Sequence, residues 1–372
     1  MEDNEEINQQ LLGNYNDVIY AVCPEEIFGE LTEKNAEAIR ADIMGTYNSL
    51  LAILDPDVYN DFDERTMAAE AREILKKLFN SAQAKISNGN YGKKVKIRSG
   101  NFGIKTDSRE YHFQTEATAD GDLCLIYAGY CSNYDDTTGQ VIAKVVAEAA
   151  DNVFLENEAA CLEIFKKNPG AQNKHLPILL DRFKTGDGRL GLILRRCEVL
   201  TLEQIRLTSR RWHNGILDKH VAWMMNRGLS ALGYAHLKGV VHCNLAPEHL
   251  LITPPDHNMF ILDWTGAAYQ RTQPFRFVRE GFSPPEVAEK KSLPIPASDI
   301  YAFGKCMIYA LGGNEKSGEM PNSVHPGLQN FLAGFIMESP IQRPDDAWKL
   351  HHRLSILRKQ WWGPDKFLKF EI

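Results

Sequence analysis

The chain has 372 residues, 44% of them hydrophobic and 24% charged, and its formal net charge of −7 disfavours a general nucleic-acid binder or a protein that binds anionic membranes. It has no run of about 18 apolar residues that would predict a membrane span, and its acidic, polar first ten residues are unlike a secretory signal. Seven cysteines without paired C-x-x-C spacing indicate reduced thiols, so we expect a cytoplasmic protein. From its charge and hydropathy, we expect that it binds neither nucleic acid nor membrane.

Two helical patterns follow residues 1–13, which we expect to form a flexible tail. Apolar residues recur every three or four positions in residues 35–53 and again in residues 66–86, which predicts two amphipathic helices. Between them, Pro56 ends the first helix and Asp63 is suited to cap the second. We therefore predict a helical hairpin module over residues 14–87.

This module resembles the J-domain, a co-chaperone module built on a helical hairpin with a His-Pro-Asp loop. The tripeptide here is Asp55-Pro56-Asp57, so Asp55 stands where the family has its signalling histidine. The resemblance therefore implies a J-like scaffold that does not stimulate the ATPase of a chaperone. Chaperone recruitment and a docking or spacer role both stay open, because likeness of fold alone does not carry activity.

Residues 88–107 are rich in glycine, asparagine and lysine, and they predict a linker. A small β-rich lobe is expected after it. Its predicted elements are strands over residues 111–117, 123–130, 139–146 and 190–194, with an amphipathic helix over residues 152–167.

Three residues of this lobe are candidates for nucleotide binding. Gly121 lies in the turn between the first two strands, Lys144 lies within the V-I-A-K of the third, and Glu158 lies on the helix. A lysine in an apolar strand needs an anionic partner, because a lone buried charge is costly. Glu158 is the first candidate for that partner, and Glu156 is the second.

Residues 239–266 carry the most informative pattern of the chain. Two apolar runs, residues 250–252 and 259–262, flank a Pro-Pro-Asp-His turn and predict a hairpin of buried strands. Polar residues precede the first strand, and Asp263 follows the second. Since both ends of a hairpin face the same way, these polar residues should converge on one site.

The letters of this segment, H-C-N-L-A-P-E-H and then D-W-T, resemble the catalytic loop H-R-D-L-K-P-E-N and the metal-binding turn D-F-G of protein kinases. The S-P-P-E of residues 283–286 and Arg343 match further family positions, at which Arg343 pairs with Glu286. The resemblance spans residues 108–357. It implies an α+β, bilobal protein kinase-like fold of the bacterial or phage-like Ser/Thr type, preceded by the small α-helical hairpin domain. The small lobe would be residues 108–194 and the large helical lobe residues 199–357.

Carried over residue by residue, the resemblance implies a degenerate active site. His242 keeps a scaffold position, Asn244 stands at the position of the catalytic Asp, and Ala246 stands at that of the catalytic Lys. Asp263 keeps the position of one metal ligand, and His249 replaces the asparagine that holds a second metal ion. His249 as a replacement base and His249 as a hydrogen-bonded structural residue both stay open.

The resemblance implies that some of the nucleotide-binding residues of kinases are retained in this chain. Of the three loop glycines Gly121 alone is retained, while Lys144 and Glu158 would form the ion pair next to the phosphates. The cofactor implied is ATP with Mg²⁺ or Mn²⁺, unless the site takes none.

Three functions are consistent with these features of the sequence. The first is a pseudokinase that acts as a protein-binding scaffold or regulatory module, with weak or absent nucleotide binding. The alternatives are a divergent active ATP-dependent Ser/Thr kinase and a chaperone-linked adaptor that acts through the J-like module. The aromatic tail of residues 358–372 either packs on the large lobe or docks a protein partner.

Overall fold

The computed structural model of the protein describes residues 2–31, 35–121, 123–136, 138–197, 200–269, 277–364 and 366–372, with residues 2–8 and 120 described by their backbone. The chain divides into two compact units. The first comprises Met1–Leu155, Lys166–Ala171 and Ile178–Cys197, and the second comprises the remaining segments.

The first unit begins with a helical module. Its helices are α1 (Glu2–Tyr20), α2 (Glu25–Phe28), α3 (Ala36–Ile53) and α4 (Phe62–Ser87). The predicted helical patterns of residues 35–53 and 66–86 correspond to α3 and α4, which pack on each other through stacked rings of Tyr47 and Phe79 at 4.0 Å. Asp61, and not Asp63, caps α4, because its carboxylate accepts the backbone N–H groups of Asp63 and Glu64.

The flexible tail predicted over residues 1–13 is not observed over residues 2–13, which belong to α1. Leu11, Tyr15 and Val18 are fully buried in the core that α1 shares with α3 and α4. Their spacing of four and three residues places them on one face of a helix. The polar residues that precede Leu11 conceal this pattern in the sequence.

An antiparallel sheet completes the first unit. Its strands are β1 (Asn101–Lys105), β2 (Glu110–Gln114), β3 (Ala119–Asp120), β4 (Cys124–Cys131), β5 (Gln140–Val146), β6 (Leu179–Lys184) and β7 (Leu190–Arg195). Their order is β1-β2-β4-β5-β7-β6, with β3 paired to β4. Helix α5 (Asn152–Lys167) follows β5 over the predicted residues and passes from the first unit into the second.

Residues 88–107 do not form the predicted linker. Strand β1 lies within them and pairs with β2, and Tyr91 is buried in the helical core. The N–H of Val95 donates to the carbonyl of Ser132, 2.6 Å away. Glycine and lysine content indicated a loop here, but backbone hydrogen bonds to the sheet fix the segment.

The helical module and the sheet share one unit, because the chain that follows α1 packs against the side chains of the sheet core. Val22 is fully buried among the side chains of the sheet core. The guanidinium of Arg109, next to β2, donates to both carboxylate oxygens of Glu26 at 2.7 and 3.0 Å and to the carbonyl of Tyr20 at 3.0 Å. The module is therefore anchored on the sheet and is not an independent spacer.

The second unit is mainly helical. Its further elements are β8 (Leu200–Thr201), α6 (Leu202–Thr208), α7 (Asp218–Leu237), β9 (Val240–Val241), β10 (Leu250–Thr253), β11 (Asn258–Ile261), β12 (Ala268–Tyr269), α8 (Pro285–Ala288), α9 (Pro296–Ala310), α10 (Pro326–Ala333) and α11 (Ala347–Trp362). Strands β11, β10 and β8 form one small sheet, and β12 pairs with β9.

Two features predicted from the sequence stabilise this unit. Arg343 forms a bidentate pair with Glu286, with distances of 2.7 and 2.6 Å, and both side chains are buried. The aromatic tail packs through Phe370, which is 2% exposed and stacks on Trp212 at 5.4 Å. In the part of the chain that the structure describes, no helix has the length and apolar character needed to cross a membrane.

Candidate active site

The predicted hairpin is present and positions the candidate site. Strands β10 and β11 are antiparallel, with Leu250 opposite Ile261 and Ile252 opposite Met259, and these four side chains are fully buried. His242 and Asn244 precede β10, and Asp263 follows β11. The hairpin thus brings these polar residues together at one end, as the pattern of two apolar strands around a turn predicts.

His242 is a fully buried structural residue. Its Nε2 lies 2.8 Å from the carbonyl of Leu262, and its Nδ1 accepts the N–H of Asn244 at 3.2 Å. A carbonyl oxygen can only accept, so Nε2 carries the proton of a neutral ring. Burial lowers the pKa of His242 to about 4, which keeps the ring neutral near pH 7.

Asn244 is held from both ends of its amide. Its Nδ2 donates to Oδ2 of Asp263 at 2.9 Å, and its Oδ1 accepts Nε of Arg279 at 3.2 Å. The side chain is buried, as is that of Ala246, which lies two residues further along the chain. The position that the kinase resemblance assigns to the catalytic Asp therefore holds an amide whose hydrogen-bonding groups are engaged within the protein.

His249 contributes a second contact to the same carboxylate. Its Nδ1 donates to the carbonyl of Asn244 at 2.6 Å, which directs Nε2 toward Oδ2 of Asp263, 3.3 Å away. That contact is an ion pair only when the imidazole is protonated. With Nδ1 donating to a carbonyl, Nε2 of the neutral ring carries a lone pair, so the arrangement fits both a hydrogen-bonded structural residue and a replacement base.

The turn after β11 holds Asp263 in a left-handed backbone conformation, with φ of 62°. The N–H of Trp264 donates to Oε1 of Glu158 at 3.2 Å, and Asn157 donates to the carbonyls of Thr265 and Ala267. Trp264 is fully buried and makes an edge contact with the ring of His242 at 4.6 Å. Helix α5 therefore fixes the position of this turn.

The residues present do not fit Mg²⁺. Oδ2 of Asp263 accepts Nδ2 of Asn244 and lies 3.3 Å from Nε2 of His249, and its Oδ1 accepts the hydroxyl of Thr265 at 3.0 Å. Mg²⁺ prefers oxygen ligands in octahedral geometry, whereas the second position here is an imidazole. Among the residues that the structure describes, no group of three or more His, Cys, Asp or Glu side chains is placed to hold a metal ion.

The candidate nucleotide-binding residues belong to different parts of the fold. In the first unit, Lys144 lies on β5 between Ile126 and Leu192 in the sheet register, and it is 8% exposed. Glu158 lies on the part of α5 that belongs to the second unit and is 1% exposed. Burial of both charged groups is consistent with their predicted role and with a purely structural one.

Gly121 lies in the tight turn that links β3 and β4. Its N–H donates to the carbonyl of Cys124 at 2.8 Å. In the kinase fold, backbone N–H groups of this loop cover the phosphates of the nucleotide. The N–H of Gly121 is instead engaged in the hairpin itself.

Sequence reasoning missed Arg279. It lies in the segment between the D-W-T turn and S-P-P-E, and it contacts Asn244 through Nε and Glu248 through Nη1 at 3.5 Å. The signal that could have found it is the pairing rule for a site rich in Asp, Glu and Asn, which needs a cation nearby.

Comparison with known proteins decides the fold. A crystal structure of a kinase domain superimposes with a TM-score of 0.56 over 70% of this chain and 98% of that domain, at 15% sequence identity. The chain has a protein kinase-like fold. It combines an antiparallel sheet lobe with a mainly helical lobe, which confirms the predicted α+β bilobal class.

Sequence comparison also supports a protein kinase-like fold. The chain is similar to serine/threonine-protein kinase D of Synechocystis sp., with 25% identity over 227 residues, and to serine/threonine-protein kinase F of the same organism, with 26% identity over 147 residues. These matches cover 55% and 37% of this chain, but 42% and 29% of the relatives' own lengths. No family model matches the chain.

Proposed function

We propose that the protein is a pseudokinase, a kinase-like fold that binds protein partners as a scaffold or regulatory module and does not transfer phosphate. The observation that carries the proposal is the amide of Asn244, held between Asp263 and Arg279. In active kinases an Asp at this position accepts the proton of the substrate hydroxyl. An amide is not a base, and here both of its polar atoms are already hydrogen-bonded.

Two further residues of the site, Ala246 and His249, also disfavour phosphoryl transfer. Ala246 provides no cation to steady a transferring phosphoryl group, and the imidazole of His249 replaces an oxygen ligand of the metal ion. Asp263 has the carboxylate that binds a metal ion in active kinases, but its oxygens accept hydrogen bonds from protein donors. A metal ion there would compete with these donors for the lone pairs of the carboxylate.

A divergent active kinase is the alternative, and one observation favours it. Lys144 and Glu158 both keep positions at which kinases bind and orient ATP, and both are buried. Catalysis by positioning alone would need no general base. The two proposals differ in whether Asp263 responds to a metal–nucleotide complex.

The melting temperature with and without ATP, in Mg²⁺, in Mn²⁺ and in EDTA, separates them. A ligand present at a hundredfold excess over its Kd stabilises the folded protein by about 2.7 kcal/mol. We expect no metal-dependent increase for the unmodified chain. An increase that Asp263→Asn and Lys144→Met abolish would reveal a metal–nucleotide site and would favour the divergent kinase, and transfer of labelled phosphate would then decide between the two proposals. The matched control is Asp256→Asn, which removes an exposed carboxylate from the β10–β11 turn.

A further inference from the structure

Helix α4 and its flanking segments carry opposite charges at their two ends. Residues 55–73 contain seven acidic residues and two arginines, whereas residues 74–98 contain seven lysines and arginines and no acidic residue. The helix dipole favours acids at the start and bases at the end, but its effect is confined to the first and last turns. Here the charges extend past both ends of the helix, to Asp57 and Arg98.

The two ends cannot neutralise each other within one chain. Helix α4 has 26 residues, which makes it about 39 Å long at 1.5 Å per residue. This separation is several times the Debye length of about 8 Å at physiological ionic strength. Many of the charges are exposed, namely those of Asp57, Asp61, Asp63, Glu73, Lys76, Lys77, Lys93, Lys96 and Arg98.

One face of α4 is exposed along the whole helix. The opposite face is buried in the core of the module through residues such as Ala71, Leu75 and Leu78. The exposed residues recur every three or four positions, which places them on one stripe. They are Phe62, Arg65, Ala69, Glu73, Lys76, Asn80, Ala84 and Ser87. Phe62 begins the stripe and is 77% exposed, an unusual state for so large an apolar side chain.

We propose that this stripe is a self-association surface, on which a second copy of the chain packs with its α4 antiparallel, related by a twofold axis. The axis passes through the middle of the helix, so Glu73 of each copy lies opposite Lys76 of the other. Phe62 lies opposite Ser87 of the other copy, where it is shielded from water. Small residues at positions 69 and 84 allow the two helices to approach.

The charge pattern selects this orientation. In an antiparallel pair, the acidic end of each copy faces the basic end of the other, so the same contact forms twice, once at each end of an isologous interface. A parallel pair would place like charges side by side, which is unfavourable. Both ends are ordered before association: the hydroxyl of Tyr59 donates to the carbonyl of Ile53, and that of Tyr91 donates to the carbonyl of Gly29. Little conformational entropy is then lost on association.

The inference is independent of the proposed function, and charge reversal on the full-length chain tests it. Sedimentation velocity and light scattering would be recorded over a hundredfold range of concentration, at low and high salt, for the unmodified chain, Glu73→Lys and Glu73→Lys/Lys76→Glu. We expect a dimer that salt weakens. Glu73→Lys should weaken it at least about tenfold, and the double reversal should restore it.

Matched variants exclude general effects of charge and exposure. Glu289→Lys reverses an exposed carboxylate in the second unit, and Leu237→Ala truncates a side chain that is 72% exposed there. Both should leave the dimer unchanged, whereas Phe62→Ala should weaken it. Circular dichroism would verify that each variant is folded. A monomer at every concentration, a dimer that Glu73→Lys does not affect, or a mass above that of a dimer would overturn the proposed arrangement.

Discussion

The Nδ2 of Asn244 donates to Oδ2 of Asp263 at 2.9 Å, so the position of a kinase's general base and the position of its metal ligand are joined by a hydrogen bond. A carboxylate at residue 244 would instead be repelled by Asp263. The same amide accepts from Arg279 at 3.2 Å. The polar groups of this candidate site therefore satisfy each other through hydrogen bonds.

Replacing Asn244 with alanine should destabilise the protein by about 1–3 kcal/mol, because it removes a hydrogen bond to a charged group and leaves Arg279 without one acceptor. Urea unfolding measures the change. Asn226→Ala is the matched control, since it removes one hydrogen bond between neutral side chains, 3.0 Å from Asn226 to Ser355. An effect of Asn244→Ala no larger than that of the control would contradict the account of this network.

Arg109 should couple the helical module to the sheet. Its side chain is 16% exposed and pairs with Glu26, which is 26% exposed. Arg109→Met leaves a partly buried carboxylate unpaired and should cost about 3 kcal/mol of stability. A double-mutant cycle with Glu26→Gln should give a coupling energy of about 1–3 kcal/mol.

The exposed pair of Arg189 and Asp187 provides the comparison for Arg109, since Asp187 is 61% exposed. Arg189→Met should cost less than about 1 kcal/mol. Independent unfolding of the helical module, with no loss of sheet stability in Arg109→Met, would show that the two parts are not coupled.

His220 should make stability fall as the pH falls. It is 1% exposed beside Trp212 and Phe370, and burial lowers its pKa to about 4. The unfolded chain binds the proton near pH 6.5 and the folded chain does not, so unfolding becomes easier as the pH drops from about 6.5 to about 4. The contribution reaches about 1.4 kcal/mol per pH unit within this window.

His220→Phe fits the same aromatic pocket and removes the titrating group. Its free energy of unfolding should therefore decline less steeply between pH 6.5 and pH 4 than that of the unmodified chain, as urea titrations at each pH would show. Equal slopes for the two proteins would mean that His220 takes up its proton in the folded state as readily as in the unfolded one.

The C-terminal tail should be held by one of its two phenylalanines. Phe370 is 2% exposed among Trp212, His220 and Trp223, whereas Phe367 is 72% exposed and stacks on one face of His257. Phe370→Ala should cost about 3 kcal/mol because it leaves a cavity, and Phe367→Ala less than about 1 kcal/mol. Thermal melts of the pair measure the difference, and similar losses for both would indicate that the tail does not pack as described.

Much of the fold follows from local patterns in the sequence. The bounds of α5 and the β10–β11 hairpin are set by periodicity and by turn residues, and the ion pair of Glu286 with Arg343 follows from the kinase resemblance. Helix α1 and strand β1 escaped prediction for a common reason. Their short apolar sets are obscured by polar neighbours. Contacts with α3 and α4 fix α1, and pairing with the next strand, β2, fixes β1.

The sequence predicts which residues form the candidate site, but it does not predict the hydrogen bonds between them. The motif places Asn244, His249 and Asp263 at the end of one hairpin, which the structure bears out in space. No spacing rule reveals that the amide of Asn244 would bridge Asp263 and Arg279, because Arg279 lies outside the helices and strands that the sequence pattern predicts. Side-chain hydrogen bonds of this kind depend on tertiary packing.

Transfer of labelled phosphate from ATP, with Mg²⁺ or Mn²⁺, tests the central claim most directly. The unmodified chain, Asp263→Ala and Lys144→Met would be compared on the protein itself and on added Ser/Thr substrates. The pseudokinase account predicts that all three proteins give the same background signal. Transfer by the unmodified chain that both substitutions abolish would contradict it and would identify a divergent kinase.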